Sequence, residues 1–274
     1  MVLGAIISIQ IGAAIAIGLI DEIGSATVFL RTIFSAILLG IIWRPSYRMD
    51  REALKMALAF GFVLAGVNLS FYAAIGRIPL GTAVTLEFTG PLAVALITSR
   101  RRVDLLWALM AAAGIVLLTG GVDSHGLEPW GIFLALLAGF FWGCYILLGK
   151  RVGQIWSGGK GLAIALAIST VFCLPFGIVD GGTEMLEPRI LALGFVVAIM
   201  SAALPFSLEM EAMRRLPSNV FGVMMSLEPA IAATVGFLIL SQGMKGVQVL
   251  AIALVVSASA GALWSNRAPA PVEP

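Results

Sequence analysis

The chain has 274 residues, of which 60% are hydrophobic and 12% charged, with a formal net charge of +2. Soluble domains run at about 25% charged residues, so this composition cannot cover a water-facing surface. It excludes an ordinary soluble enzyme and points to a chain whose surface faces lipid, where only structures that satisfy their own backbone hydrogen bonds can span. The small basic excess gives no reason to expect nucleic acid as a partner.

A membrane-crossing helix needs about 20 mostly apolar residues. In chain order the pattern predicts ten: 2–20, 26–43, 54–75, 79–99, 103–120, 129–149, 161–179, 189–212, 217–240 and 246–264. Short polar punctuation separates them, including Asp21-Glu22, Pro45-Ser46, Arg77-Ile78-Pro79, Arg100-Arg101-Arg102 and Gly181-Gly182. The first run lacks a basic leader and a small-residue cleavage site, so it reads as a span and not a signal peptide. It starts at the membrane edge, which leaves open whether Met1 is the native start. The Pro-rich tail 266–274 is expected to be disordered. Cys144 and Cys173 both sit in apolar runs, and no metal-ligand spacing exists.

Ten spans place both termini on one side. With the N-terminus in the cytoplasm, Arg44, Arg48, Arg51, Lys55, Arg100, Arg101, Arg102, Lys150, Arg151, Lys160, Arg214, Arg215 and Arg267 fall inside. Only Arg77, Arg189 and Lys245 fall outside, and this is the bias expected of cytoplasmic loops.

The two halves of the chain resemble each other. Residues 77–96 (RIPLGTAVTLEFTGPLAVAL) align without gaps on 215–234 (RLPSNVFGVMMSLEPAIAAT), matching Arg77 with Arg215, Pro79 with Pro217, Pro91 with Pro229 and Ala95 with Ala233. Five spans per repeat is odd, so the halves must be inverted in the membrane, a common basis for alternating access. The expected fold is all-α and integral to the membrane, with ten transmembrane helices arranged as two inverted five-helix repeats over 1–121 and 127–265.

Ionisable residues within spans are expensive and read as functional. Three stand out: Arg31, Glu87 and Glu228. Pro91 lies four residues after Glu87 and has no N–H, so it frees the Glu87 carbonyl and kinks the helix; Pro229 does the same to Met225. Glu87 and Glu228 are candidates for holding an ammonium group or a proton; the alternative is a structural kink with a glutamate tied to a neighbouring helix. Arg31 can pair with Glu87, hold a substrate carboxylate by its fork, or snorkel to the interface. Asn68 and Tyr72 share a helix face, as do Trp142 and Tyr145, and Gln10 lies midway along the first span; these five are candidate cavity residues. Glu209, Glu211, Arg214 and Arg215 read as an interfacial ion-pair cluster, and Gly139 with Gly143 as a close-packing pair. His125 falls in a loop. Gly143 to Lys150 departs from a P-loop by one residue and lies inside a span, and no metalloprotease motif or intramembrane aspartate pair is present. An enzyme or an ATP-driven pump is therefore not expected; a membrane-embedded enzyme or a non-transporting assembly partner remains the alternative class.

The segments SIQIGAA (8–14), LEFTGPLAVAL (86–96), SRR (99–101), ALPFSLEM (203–210), RLP (215–217) and MSLEPA (225–230) resemble the EamA branch of the drug/metabolite transporter superfamily, and within it the threonine/homoserine exporter group. The resemblance runs through nearly the whole chain. It implies a ten-helix inverted repeat in the bacterial inner membrane with both termini cytoplasmic. It also implies secondary, proton-driven export of small amino acids. No cofactor is expected, and the working unit is expected to be a monomer or homodimer. Related carriers handle other metabolites and toxic compounds. Glu87 and Glu228 fall within the matching motifs. The chain departs from the group in carrying only Met1–Ile7 ahead of the SIQ segment and in its 150–160 loop.

Overall fold

The computed structural model describes residues 1–46, 48–98, 103–120, 127–215, 221 and 224–265. All regular structure among them is helical. We number the α-helices α1 (Val2–Ile23), α2 (Ala26–Trp43), α3 (Arg51–Ile75), α4 (Leu80–Glu87), α5 (Thr89–Thr98), α6 (Val103–Gly120), α7 (Pro129–Ile155), α8 (Lys160–Gly181), α9 (Pro188–Ala198), α10 (Leu204–Arg215), α11 (Glu228–Leu240) and α12 (Gly246–Ser265). A 3-10 turn at Glu184–Leu186 precedes α9, and a π-helical turn, Ile199–Ala203, joins α9 to α10.

Among the described residues, six stretches are long and apolar enough to cross a membrane: Val2–Ile23, Ala26–Trp43, Arg51–Ile75, Pro129–Ile155, Lys160–Gly181 and Pro188–Phe206. Four shorter apolar stretches, Leu80–Val94, Leu106–Leu117, Glu228–Leu240 and Gly246–Ala262, fall within the other predicted segments. The protein is thus a multi-pass membrane protein. Large apolar side chains face outward along the helices, Val171 at 68% exposure and Leu238 at 71% among them. That surface suits hydrocarbon and not water.

Local chemistry sets the helix ends. The Asp50 carboxylate caps α3 by accepting from the Ala53 N–H at 2.7 Å. Pro129, Pro188 and Pro229 stand in the first turns of α7, α9 and α11, where a missing N–H leaves no bond unmade. Gly24, at φ 54° and ψ −132°, ends α1 in a positive-φ conformation that glycine adopts without steric cost, and α2 begins two residues later.

The span predicted at 79–99 is two helices, interrupted at Phe88. The interruption falls between Glu87 and Pro91, where the proline removes a donor. Near the other matching proline, a turn at Ser226-Leu227 precedes α11. Residues 216–220, 222 and 223 of the predicted 217–240 span lie outside the described residues, as do His125 and the tail 266–274.

Helix packing crosses the two halves of the chain. α2 packs on α8, α4 on α11 and α6 on α12. α3 packs on α7, while α1 packs on α9, the π-turn and α10. Small residues permit the closest approaches. A Cβ on Gly81 would lie 2.6 Å from Ala233 Cα, and a Cβ on Gly139 would lie 2.7 Å from the Glu87 carbonyl oxygen. One end of the bundle is tied across chain segments by a two-pronged Arg189–Glu22 pair at 2.7 and 2.8 Å. The same end holds Ser25 bonded to Asp180 and Arg77 3.5 Å from Glu128.

Candidate functional site

A cavity of about 180 Å³ lies inside the bundle. α1 contributes Gln10, α2 Arg31, α3 Asn68 and Tyr72, α4 Glu87, α7 Trp142 and Tyr145, the π-turn Ser201, and α11 Glu228. Every side chain singled out as substrate-binding or proton-coupling from sequence lines this one space. Ile9, Ala13, Leu64, Val67 and Phe71 supply its apolar walls.

Arg31 is anchored by neutral groups. Its Nη1–H donates to Asn68 Oδ1 at 2.5 Å, its Nε–H to Ser201 Oγ at 2.8 Å and its Nη2–H to the Ser201 carbonyl at 3.2 Å. The guanidinium also stands over the Tyr72 ring, 5.4 Å from its centroid. Asn68 is held in turn by donating Nδ2–H to the Leu64 carbonyl at 2.7 Å, which turns its Oδ1 toward Arg31. The pairing of Arg31 with Glu87 considered from sequence is not made: among the described residues Arg31 has no ion pair. Snorkelling to the interface is excluded by the same three bonds, which hold the side chain inside the bundle.

Ser201 was not singled out from sequence. The signal was present, because Pro205 lies four residues later and has no N–H to give the Ser201 carbonyl. The π-turn Ile199–Ala203 sits at this point, and such turns recur at functional sites. Two carbonyls of the turn accept side-chain donors: Met200 from Ser8 Oγ at 2.6 Å and Ser201 from Arg31.

The Glu87 side chain is 8% exposed and has no hydrogen-bond partner among the described residues, so its carboxyl group is free to meet a ligand. Its backbone carbonyl, freed by Pro91, is turned toward α7, where only a glycine at 139 leaves room for it. Glu228 behaves differently: its Oε1 accepts from Gln10 Nε2–H at 3.1 Å, while its Oε2 and Gln10 Oε1 are buried without partners among the described residues. Trp142 packs edge-on against Phe88, the residue at the α4–α5 break, with centroids 5.4 Å apart. Tyr145 stacks on Phe60 at 4.8 Å.

In the cluster read as interfacial ion pairs, Arg215 Nε–H bonds Glu211 at 2.8 Å. Glu209 is not part of that pair and faces inward. The Arg214 side chain lies outside the described residues. Among the described residues no group of acidic, cysteine and histidine side chains is placed to hold a metal ion.

Comparison with known proteins gives the following. Residues 129–264 match the family model of the EamA-like transporter family. A protein of Salmonella typhimurium (strain SL1344), named Threonine/homoserine exporter RhtA, is 41% identical over 266 residues, which cover 96% of this chain and 90% of that protein. The protein of the same name from Escherichia coli (strain K12) is 40% identical over 270 residues, 97% of this chain and 91% of its own. These relatives are named as transporters, not enzymes. A crystal structure described only as that of a protein is 18% identical and superposes with a TM-score of 0.55, covering 94% of this chain and 97% of that one. That likeness concerns the fold alone.

Proposed function

The chain belongs to the EamA-like transporter family, and from that premise we propose that it exports small neutral amino acids of the threonine and homoserine kind across the bacterial inner membrane. The observation that carries the reading is a small cavity holding one guanidinium and one unpaired carboxyl group, Arg31 and Glu87. These are the counter-charges of a zwitterion. The fork of Arg31 receives the substrate carboxylate and Glu87 receives the ammonium group. About 180 Å³ suits such a molecule and falls below the ~300–1,000 Å³ of pockets for drug-sized ligands, which favours amino acids over bulky toxic compounds.

Export proceeds by alternating access between two inverted five-span repeats, 1–121 and 127–265, with ten spans and both termini cytoplasmic. The helix pairing supports this arrangement. Equivalent spans meet each other (second with seventh, fourth with ninth, fifth with tenth), and the remaining contacts exchange as a two-fold relation requires: third with sixth, first with eighth. The proton gradient drives the cycle through Glu87 or Glu228. One guanidinium faces two carboxyl groups in the cavity, so a single proton neutralises the set. A proton taken up from the outer side at Glu87 competes with the ammonium group and releases substrate there.

Efflux tests the reading. Cells lacking other amino-acid exporters, loaded with labelled homoserine or threonine, lose label faster with this protein than without it. The gain collapses with an uncoupler and with Glu87→Gln. No acceleration from correctly inserted protein would discard the substrate, and a Glu87→Gln carrier with full proton-coupled export would remove the assigned role of Glu87.

A further inference from the structure

A second cavity, about 130 Å³, adjoins the central one and shares Arg31, Asn68 and Ser201 with it. It lies toward the basic end of the bundle, being walled by Leu39 near the end of α2, Leu162 near the start of α8 and Phe206 of α10. Glu209 lines it. Glu209 is half-buried and has no hydrogen-bond or ion-pair partner among the described residues, since Arg215 is taken by Glu211. Both cavities therefore pair the one guanidinium with a carboxyl group that has no partner among the described residues: Arg31 and Glu87 in the central one, which Glu228 also lines, and Arg31 and Glu209 in the other, each within largely apolar walls. Arg31 has five N–H donors. Three go to Asn68 and Ser201, which leaves one on each terminal nitrogen, a pair suited to a carboxylate.

We infer that the second cavity is a transit station for the substrate zwitterion, with Glu209 as the ammonium partner and Arg31 as a carboxylate anchor common to both stations. The inference rests on the amino-acid reading above and adds a site to it. Substrate arriving from the basic end places its ammonium group on Glu209 and its carboxylate on Arg31. Movement into the central cavity then exchanges Glu209 for Glu87 while the carboxylate keeps its partner. Neither substrate charge is left buried and unpaired during the transfer, which would otherwise cost several kcal/mol per ion.

Site-directed alkylation separates the two stations. Ala202 lines only the second cavity and Val67 only the central one. In a full-length Cys144→Ser, Cys173→Ala background, Ala202→Cys and Val67→Cys are each treated with a small thiol reagent, with and without threonine. Threonine should slow alkylation severalfold at both positions. Added Glu209→Gln should abolish protection at 202 and leave it at 67, while Glu209→Asp retains protection at both. Added Glu87→Gln should remove protection at 67. Protection at 67 alone, or loss at both positions with Glu209→Gln, overturns the transit station and leaves the amino-acid reading standing. Protection at neither position in the unsubstituted background overturns both.

Discussion

The guanidinium of Arg31 grips Ser201 twice, by Nε–H to the hydroxyl at 2.8 Å and by Nη2–H to the backbone carbonyl at 3.2 Å. The second bond is available because Pro205 cannot supply the N–H that an uninterrupted helix would offer that carbonyl. Pro205→Ala restores the competing donor. The half-saturation constant for threonine is expected to rise about three- to tenfold, the worth of one net hydrogen bond. Thermal stability in detergent should stay level or increase, because helix regularity is gained. An unchanged constant would show that the Ser201 carbonyl does not help orient Arg31.

Glu228 and Gln10 share one bond at 3.1 Å and each keep one buried oxygen without a donor among the described residues. Glu228→Gln puts an amide N–H₂ where Gln10 Oε1 needs a donor. Stability is expected to rise by about 1 kcal/mol. If Glu228 carries the coupling proton, the dependence of efflux on external pH should flatten in the same variant. Gln10→Leu works in the opposite direction: it removes the Gln10 donor to Glu228 and should lower stability by about 1–3 kcal/mol. A rise in stability with an unaltered pH profile would assign Glu228 to structure and leave coupling to Glu87.

Three of the five glycines along α7, Gly139, Gly143 and Gly153, should behave differently. At Gly139 a Cβ would press on the Glu87 carbonyl, and at the facing Gly90 one would run into the Gly139 carbonyl. Gly139→Ala is expected to destabilise by about 1–3 kcal/mol, the usual range for overpacking. It should also lower export, because the α4–α5 break beside Glu87 must shift. At Gly143 the nearest atom would be Val94 Cγ2 at 3.4 Å, so Gly143→Ala should be nearly neutral. Among the described residues nothing lies within 4 Å of a Cβ at Gly153, and Gly153→Ala should stabilise by up to about 1 kcal/mol through helix propensity. Unfolding midpoints of the three purified variants check the order.

Cavity size should set specificity. Val67 faces the central cavity and not the second one. Val67→Ala removes two methyl groups and should admit larger neutral amino acids, read as competition by leucine against labelled threonine. One methylene in an apolar pocket shifts discrimination by about 10- to 200-fold. Leucine competing as well against the unsubstituted protein would point to a broader metabolite carrier.

Much of this site is legible in the sequence. Arg31, Glu87 and Glu228 are marked by their presence in apolar runs, since a charge facing lipid at the helix centre costs about 2.5–3.5 kcal/mol even on a lenient scale. Gln10, Asn68, Tyr72, Trp142 and Tyr145 are polar-capable side chains in the same kind of segment. Pro91 and Pro229 can be read because the loss of an N–H is a local event that needs no partner to define it.

The sequence by itself determined that these side chains must turn away from lipid, because that demand acts on each residue alone. Only the tertiary structure decided whom they meet. It gave Arg31 to Ser201 and Asn68 and not to Glu87, turned the freed Glu87 carbonyl onto Gly139, and separated Glu209 from the Glu211–Arg215 pair to face a second cavity. Those choices depend on how each helix is rotated and shifted against its neighbours. In a membrane, apolar helix faces are equally at home against lipid or protein, so hydropathy is silent on rotation, and close packing through small residues such as Gly81 on Ala233 fixes it.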